Sequence, residues 1–134
     1  MKRIGILLVT LAALLLLGSP VRAQQLDCNQ TLLYDASTNG STQLLTAQTG
    51  RSIYICGYTI VWGGTATVKL VNGTGTACAT NEAAVTPAYS GVAQTVVSDS
   101  SSFWRGLVVT PGVNLCIKTS AGVAVQALVF YTTR

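Results

Sequence analysis

The chain has 134 residues, of which 8 are Lys or Arg, 4 are Asp or Glu and none is His. Without histidine there is no Ser-His-Asp or Cys-His nucleophile and no His-ligated metal. Charged residues make up only 9% of the chain, too few for the basic stripe that nucleic acid requires, while the 49% that are hydrophobic can fill a core.

Lys2 and Arg3 precede an apolar run over residues 4–17, which Gly18, Ser19 and Pro20 break. Val21-Arg22-Ala23 then presents small or modest side chains where a signal peptidase inspects them, so residues 1–23 are expected to be a signal peptide. The run, about 14 residues, is shorter than the roughly 20 a spanning helix needs. Its removal takes away Lys2, Arg3 and Arg22. What stays is Arg51, Lys69, Arg105, Lys118 and Arg134 against Asp27, Asp35, Glu82 and Asp99, a net charge of +1. The basic balance of the whole chain is therefore no argument for nucleic acid. Residues 24–134 suit a single domain, expected to be exported to the periplasm or beyond the cell and to have no further membrane span.

Residues 30–35 form the first predicted strand, and Asn39-Gly40 predicts a hairpin turn because both residues tolerate positive φ. Residues 42–47 would return. After Thr49-Gly50, residues 52–62 are dense in β-branched and aromatic groups on both faces, which predicts a central strand with Gly57 at a bulge or close approach. Gly63-Gly64 turns the chain. Residues 65–71 alternate, with Ala66, Val68 and Leu70 on one face. Residues 72–81 read as a loop, and residues 82–90 give no clear pattern. Strands are predicted over 92–98 and 103–110, around a serine-rich loop. Pro111-Gly112 turns, residues 114–119 form a short strand with Leu115 and Ile117 inward, and Ala121-Gly122 turns again. Residues 123–132 form the last strand, with Val123, Val125, Ala127, Val129 and Tyr131 sharing a face. No helical period is sustained. The expectation is an all-β fold of about 7–8 antiparallel strands, a β-sandwich or jelly roll.

The cysteines, Cys28, Cys56, Cys78 and Cys116, all follow the signal segment. An even count in a small exported domain reads as two disulfides, with three connectivities open, of which we lean to Cys28–Cys56 with Cys78–Cys116. There is no C-x-x-C pair, so neither a metal nor any other cofactor is expected. Asp35 and Glu82 are the acids that could meet as a glycosidase pair, although widely spaced acids are ordinarily surface carboxylates. Gly73-Thr74-Gly75-Thr76 lacks the Lys-Ser/Thr ending of a phosphate loop and reads as a turn. Asn29, Asn39 and Asn72 fit the N-glycosylation pattern, which matters only in a eukaryotic secretory pathway, whereas the signal segment looks bacterial. Tyr54 and Tyr58 read as sheet packing. Trp104 with Arg105, and Trp62, are the candidate ligand- or partner-binding residues, because exposed aromatics anchor interfaces and stack on sugars.

Several segments together, Ile53-Tyr54-Ile55-Cys56-Gly57-Tyr58, Gly64-Thr65-Ala66-Thr67-Val68-Lys69-Leu70-Val71, Gly73-Thr74-Gly75-Thr76-Ala77-Cys78 and Gly112-Val113-Asn114-Leu115-Cys116-Ile117, resemble a group of small secreted or phage-encoded β proteins of bacteria and tailed phages. The likeness runs from about Cys28 to Tyr131. It implies a β fold and, from the phage members, a virion-associated structural role in head decoration or a fibre. It implies no catalytic residues. This chain differs from a virion part in its export signal.

The sequence thus predicts an exported, non-enzymatic structural or interaction protein that self-associates or docks to a cell-surface protein or glycan. A homo-oligomer, most plausibly a trimer, would fit. The alternative is a monomeric carbohydrate- or small-ligand-binding module.

Overall fold

The computed structural model describes residues 27–100 and 107–134. The segment expected to be a signal peptide and the Trp104-Arg105 pair lie outside the described residues. The strands are β1 (Gln30–Leu45), β2 (Ile53–Trp62), β3 (Ala66–Thr74), β4 (Thr80–Ala84), β5 (Tyr89–Gly91), β6 (Thr95–Asp99), β7 (Leu107–Val109) and β8 (Asn114–Thr133). All pairings are antiparallel. A single 3-10 turn, Thr76–Cys78, lies between β3 and β4.

The organising element is β8, 20 residues long. Along one edge it pairs with β1. Along the other it pairs first with β3, through residues 114–119, and then with β2, through residues 125–133. β2 carries β7 and β6 on its far edge, and β3 carries β5 and β4. Each half of the β1–β8 ribbon thus belongs to its own four-strand-wide layer. The inward residues of both layers, among them Ile60 and Trp62 of β2, Val68 and Leu70 of β3, and Ile117 and Val129 of β8, form one core cluster. Among the described residues the architecture is all-β with eight strands, compatible with the expected sandwich. Each aliphatic side chain buried there contributes about 1.5–3 kcal/mol relative to exposure.

The two predicted turns at Asn39-Gly40 and Ala121-Gly122 do not reverse the chain. Each is the midpoint of a single long strand, and they lie opposite one another. Thr38 pairs with Val123 and Gly40 with Thr119, so β8 spends extra residues at this point. Gly40 has φ +85, and a side chain at Gly122 would lie 3.9 Å from the Asn39 Cβ. Positive φ is a demand of corners as well as hairpins, and here Gly40 supplies it while Gly122 faces Asn39 across the same corner of a bent ribbon.

Strand β3 runs on to Thr74, into the segment read as a loop, and the unreadable segment supplies β4 and β5. Between those two, the Thr86 hydroxyl accepts the Leu70 N–H at 3.0 Å and Leu70 O accepts Val85 N–H at 2.9 Å. Side-chain and loop bonds here replace a regular ladder, which is why the alternation is lost. β6 begins at Thr95, later than the predicted 92, because Gln94 sits in the turn at φ 64.

Both disulfides form as favoured, Cys28 with Cys56 and Cys78 with Cys116. Cys56 is the extra residue of a bulge in β2, since Ile55 pairs with Tyr131 and Gly57 with Phe130. The bulge reverses which parity faces inward. Ile53 and Ile55 point to the core before it, Tyr58, Ile60 and Trp62 after it. Gly73 is needed for a close approach: a Cβ there would come within 2.8 Å of the Cys78 Cβ.

Candidate functional site

The two layers differ in what covers their outer faces. On the β3 side, the register sets Ser41, Lys118 and Lys69 in one row and Gln43, Cys116 and Val71 in the next. The 3-10 turn closes over the second row, so Val71, Cys78 and Cys116 form a buried cluster of their own. Asn114 pins this cover. Its Oδ1 accepts the Ala47 N–H at 2.7 Å and its Nδ2 donates to Gly75 O at 2.9 Å. Glu82 from β4 closes the first row. Lys118 Nζ donates to both its carboxylate oxygens at 2.7 and 2.8 Å, Ser41 Oγ donates at 3.2 Å, and Lys69 Nζ lies 3.6 Å away. Two lysines directly opposite on a sheet repel, and Glu82 offsets that. The Lys118 hydrogen bonds hold the Glu82 carboxyl below its ordinary pKa, against a weaker desolvation effect.

On the β2 side nothing comparable lies over the sheet among the described residues. Inward Val125, Ala127 and Val129 alternate with outward Gln126, Leu128 and Phe130. Rows run across β1, β8, β2 and β6: Asp35, Gln126, Val61 and Val96, then Leu33, Leu128, Thr59 and Ser98, then Thr31, Phe130 and Gly57. Leu33 is 74% exposed, Val96 59% and Phe130 41%, and Leu128 and Val61 are half-buried between them. Asp35 is the one charge in these rows. Isolated exposed leucines are ordinary, but apolar side chains that neighbour one another across strands, as Leu33 does Leu128 and Val61 does Val96, mark a candidate interaction surface.

A cavity lies at each end of this face. One, of about 230 Å³, is walled by the Cys28–Cys56 disulfide, Gly57, Phe130 and Ser100. Gly57 permits a close approach of β6, since a Cβ there would lie 3.1 Å from the Asp99 carbonyl oxygen and 3.9 Å from the Phe130 ring. The segment carrying Trp104 and Arg105 follows Ser100 directly in the chain. The other, of about 140 Å³, has a mostly apolar wall with Val61, Trp62, Gly63 and Ala124, into which Asp35, Gln126 and Gln94 bring polar groups. Gln126 Nε2 donates to the Asp35 carboxylate at 3.2 Å. Gln94 is held there by its own N–H, which donates to Trp62 O at 2.8 Å. A carboxylate and two amides can bind hydroxyl or amide groups, and Asp35 has no second carboxylate beside it in this lining to make an acid–base pair.

Trp62 is 1% exposed, so its ring packs in the core and does not stand on the surface as a binding anchor. The inward parity that follows the β2 bulge is the reason. Its indole N–H finds no acceptor among the described residues. Tyr58 is buried as expected and bonds the Tyr89 hydroxyl at 2.6 Å. Burial, then that bond, raises the Tyr58 phenol well above its ordinary pKa.

Asp35 and Glu82 do not form a carboxylate pair. Asp35 bonds Gln126 in one layer, and Glu82 bonds Ser41 in the other. These anchor points lie on opposite sides of the β1 corner at Thr38–Gly40, so the two acids hold separate partners and share no cleft. Among the described residues, no group of three His, Cys, Asp or Glu side chains could hold a metal, and no helix is long and apolar enough to cross a membrane. Leu33 and Phe130, which define the uncovered face, were not among the residues picked from sequence. Their alternation with core residues was visible, but not that the outward side of this one layer would stay bare. No protein-family model, curated protein or solved structure matches the chain, so the likeness to bacterial and phage β proteins rests on its sequence motifs alone.

Proposed function

We propose that this is an exported, non-enzymatic structural or interaction protein, a β domain that self-associates or docks on a cell-surface partner. The observation that supports this most is the outer face of β1, β8, β2 and β6, uncovered among the described residues, with Leu33, Val96 and Phe130 exposed. The contrast with the opposite layer, where β4 and the 3-10 turn close the outer face, makes the bare face a specific feature. The two disulfides agree with an oxidising compartment, periplasmic or extracellular. Size exclusion with light scattering on the exported protein tests the reading, alongside cell fractionation. An oligomer or a surface-bound fraction is expected. A freely diffusing monomer at every concentration would refute it.

The cavity beside Trp62 supports a second reading, a monomeric module binding a carbohydrate or another small hydroxylated ligand through the Asp35, Gln126 and Gln94 side chains set in its apolar wall. Trp62 packs beside this cavity and serves as reporter. The reading expects a glycan-dependent change in tryptophan fluorescence that Gln126→Ala abolishes. A silent glycan panel rejects it.

A further inference from the structure

We infer that the free edge of β1, over residues 30–36, docks the same segment of a second copy of this chain, antiparallel about a two-fold axis at Leu33. The inference rests on the self-association reading above and assigns its contact.

Strand β1 pairs with β8 alone, so among the described residues its other edge carries no strand. The remaining rim strands, β4, β5, β6 and β7, have five, three, five and three residues, whereas β1 has 16. Short strands, lysines and prolines are the usual protections of a sheet edge. β1 contains no Lys, Arg or Pro, and its one charge is Asp35. Its first half is exposed at Gln30, Thr31, Leu33, Asp35, Ala36 and Ser37. Every second residue of such an edge aims its N–H and C=O outward, ready for another strand.

The sequence of this edge selects the register. A two-fold axis normal to the sheet sets one residue opposite itself, because side chains on paired strands must share a face. With Leu33 at the axis, Leu33 meets its copy, Leu32 meets Tyr34, Thr31 meets Asp35, and Gln30 meets Ala36. Moving the axis to Asp35 opposes two carboxylates, and moving it to Tyr34 sets Leu33 against Asp35. Only the Leu33 axis pairs apolar with apolar on both faces. Leu128 lies beside Leu33 in the β8 register. The join therefore makes one row of four leucines, Leu128 and Leu33 from each copy, across the uncovered face.

The test is light scattering on the exported protein and on Leu33→Lys, with Leu33→Cys and Val96→Cys crosslinking in parallel. The wild type is expected at twice the monomer mass. Leu33→Lys, at a side chain 74% exposed, should halve that mass and leave the circular dichroism unchanged. Opposed strand residues lie about 4.5–5.5 Å apart at Cα, within disulfide reach, so Leu33→Cys should give a covalent dimer. Val96→Cys, on the far rim strand β6, should give none. A wild-type monomer overturns both this contact and the self-association reading. An oligomer that survives Leu33→Lys, crosslinks at Val96→Cys but not at Leu33→Cys, or has three subunits overturns this contact alone.

Discussion

The two disulfides close loops of similar size but sit in different surroundings, and reduction should separate them. Their sequence separations are 28 and 38 residues. Loop-closure entropy assigns about 3.6 kcal/mol to Cys28–Cys56 and about 3.9 kcal/mol to Cys78–Cys116. With an unfolding entropy scaled to the 111 residues from 24 to 134, each loss lowers Tm by about 15 °C. Access is what differs. Cys78 and Cys116 are fully buried against Val71, beneath the cover pinned by Asn114. Cys28 is half-buried, and the 230 Å³ cavity opens onto its bridge with Cys56. Dithiothreitol below the melting temperature, quenched by alkylation and read by peptide mass spectrometry, should label Cys28 and Cys56 first. Cys78 and Cys116 should follow only with global unfolding. Calorimetry of Cys28→Ala with Cys56→Ala should show the first drop in Tm, and Cys78→Ala with Cys116→Ala one at least as large, since packing is lost too. Equal labelling rates, or a melt indifferent to either pair, would refute the reasoning.

Replacing Glu82 by Gln should cost less than about 1 kcal/mol, as exposed ion pairs do, with a loss that shrinks in high salt. Because the folded Glu82 carboxyl titrates below its ordinary value, its contribution is present above pH 4.5 and disappears as pH falls through the folded value. A melting series from pH 6 to 3 should show that component in the wild type and not in Glu82→Gln. Tyr58→Phe removes the bond to Tyr89 and should destabilise by about 1 kcal/mol in urea unfolding. In the wild type, ultraviolet titration should leave Tyr58 protonated as pH passes 10, and the stability that its raised pKa confers should fall away above that value. Gly73→Ala drives a methyl into Cys78 and should cost about 1–3 kcal/mol, measurable by the same unfolding curves.

Much of the strand content was legible because it is local chemistry. The alternation of Ala66, Val68 and Leu70, the inward Leu115 and Ile117, the central character of β2 and the bulge near Gly57 all follow from side-chain period and β-branching. The turn at Pro111-Gly112 was equally plain, and Gly112 has φ +78. What sequence alone left open depends on partners far away in the chain. Asn39-Gly40 and Ala121-Gly122 carry the same dihedral freedom in a hairpin or in a corner, and only their meeting across the β1–β8 ladder made them a corner. Trp62 lies in a stretch apolar on both sides, so its fate turned on the single extra residue at Cys56. Whether an outward apolar side chain is covered is likewise a question of which loop folds over which layer. The 3-10 turn and β4 went to one face and left Leu33, Val96 and Phe130 bare on the other. Composition and period determined a strand-rich chain with four cysteines and without the residues for histidine chemistry. Tertiary pairing alone decided which face and which strand edge it offers, because coverage and pairing are properties of contacts between residues that lie far apart in the chain.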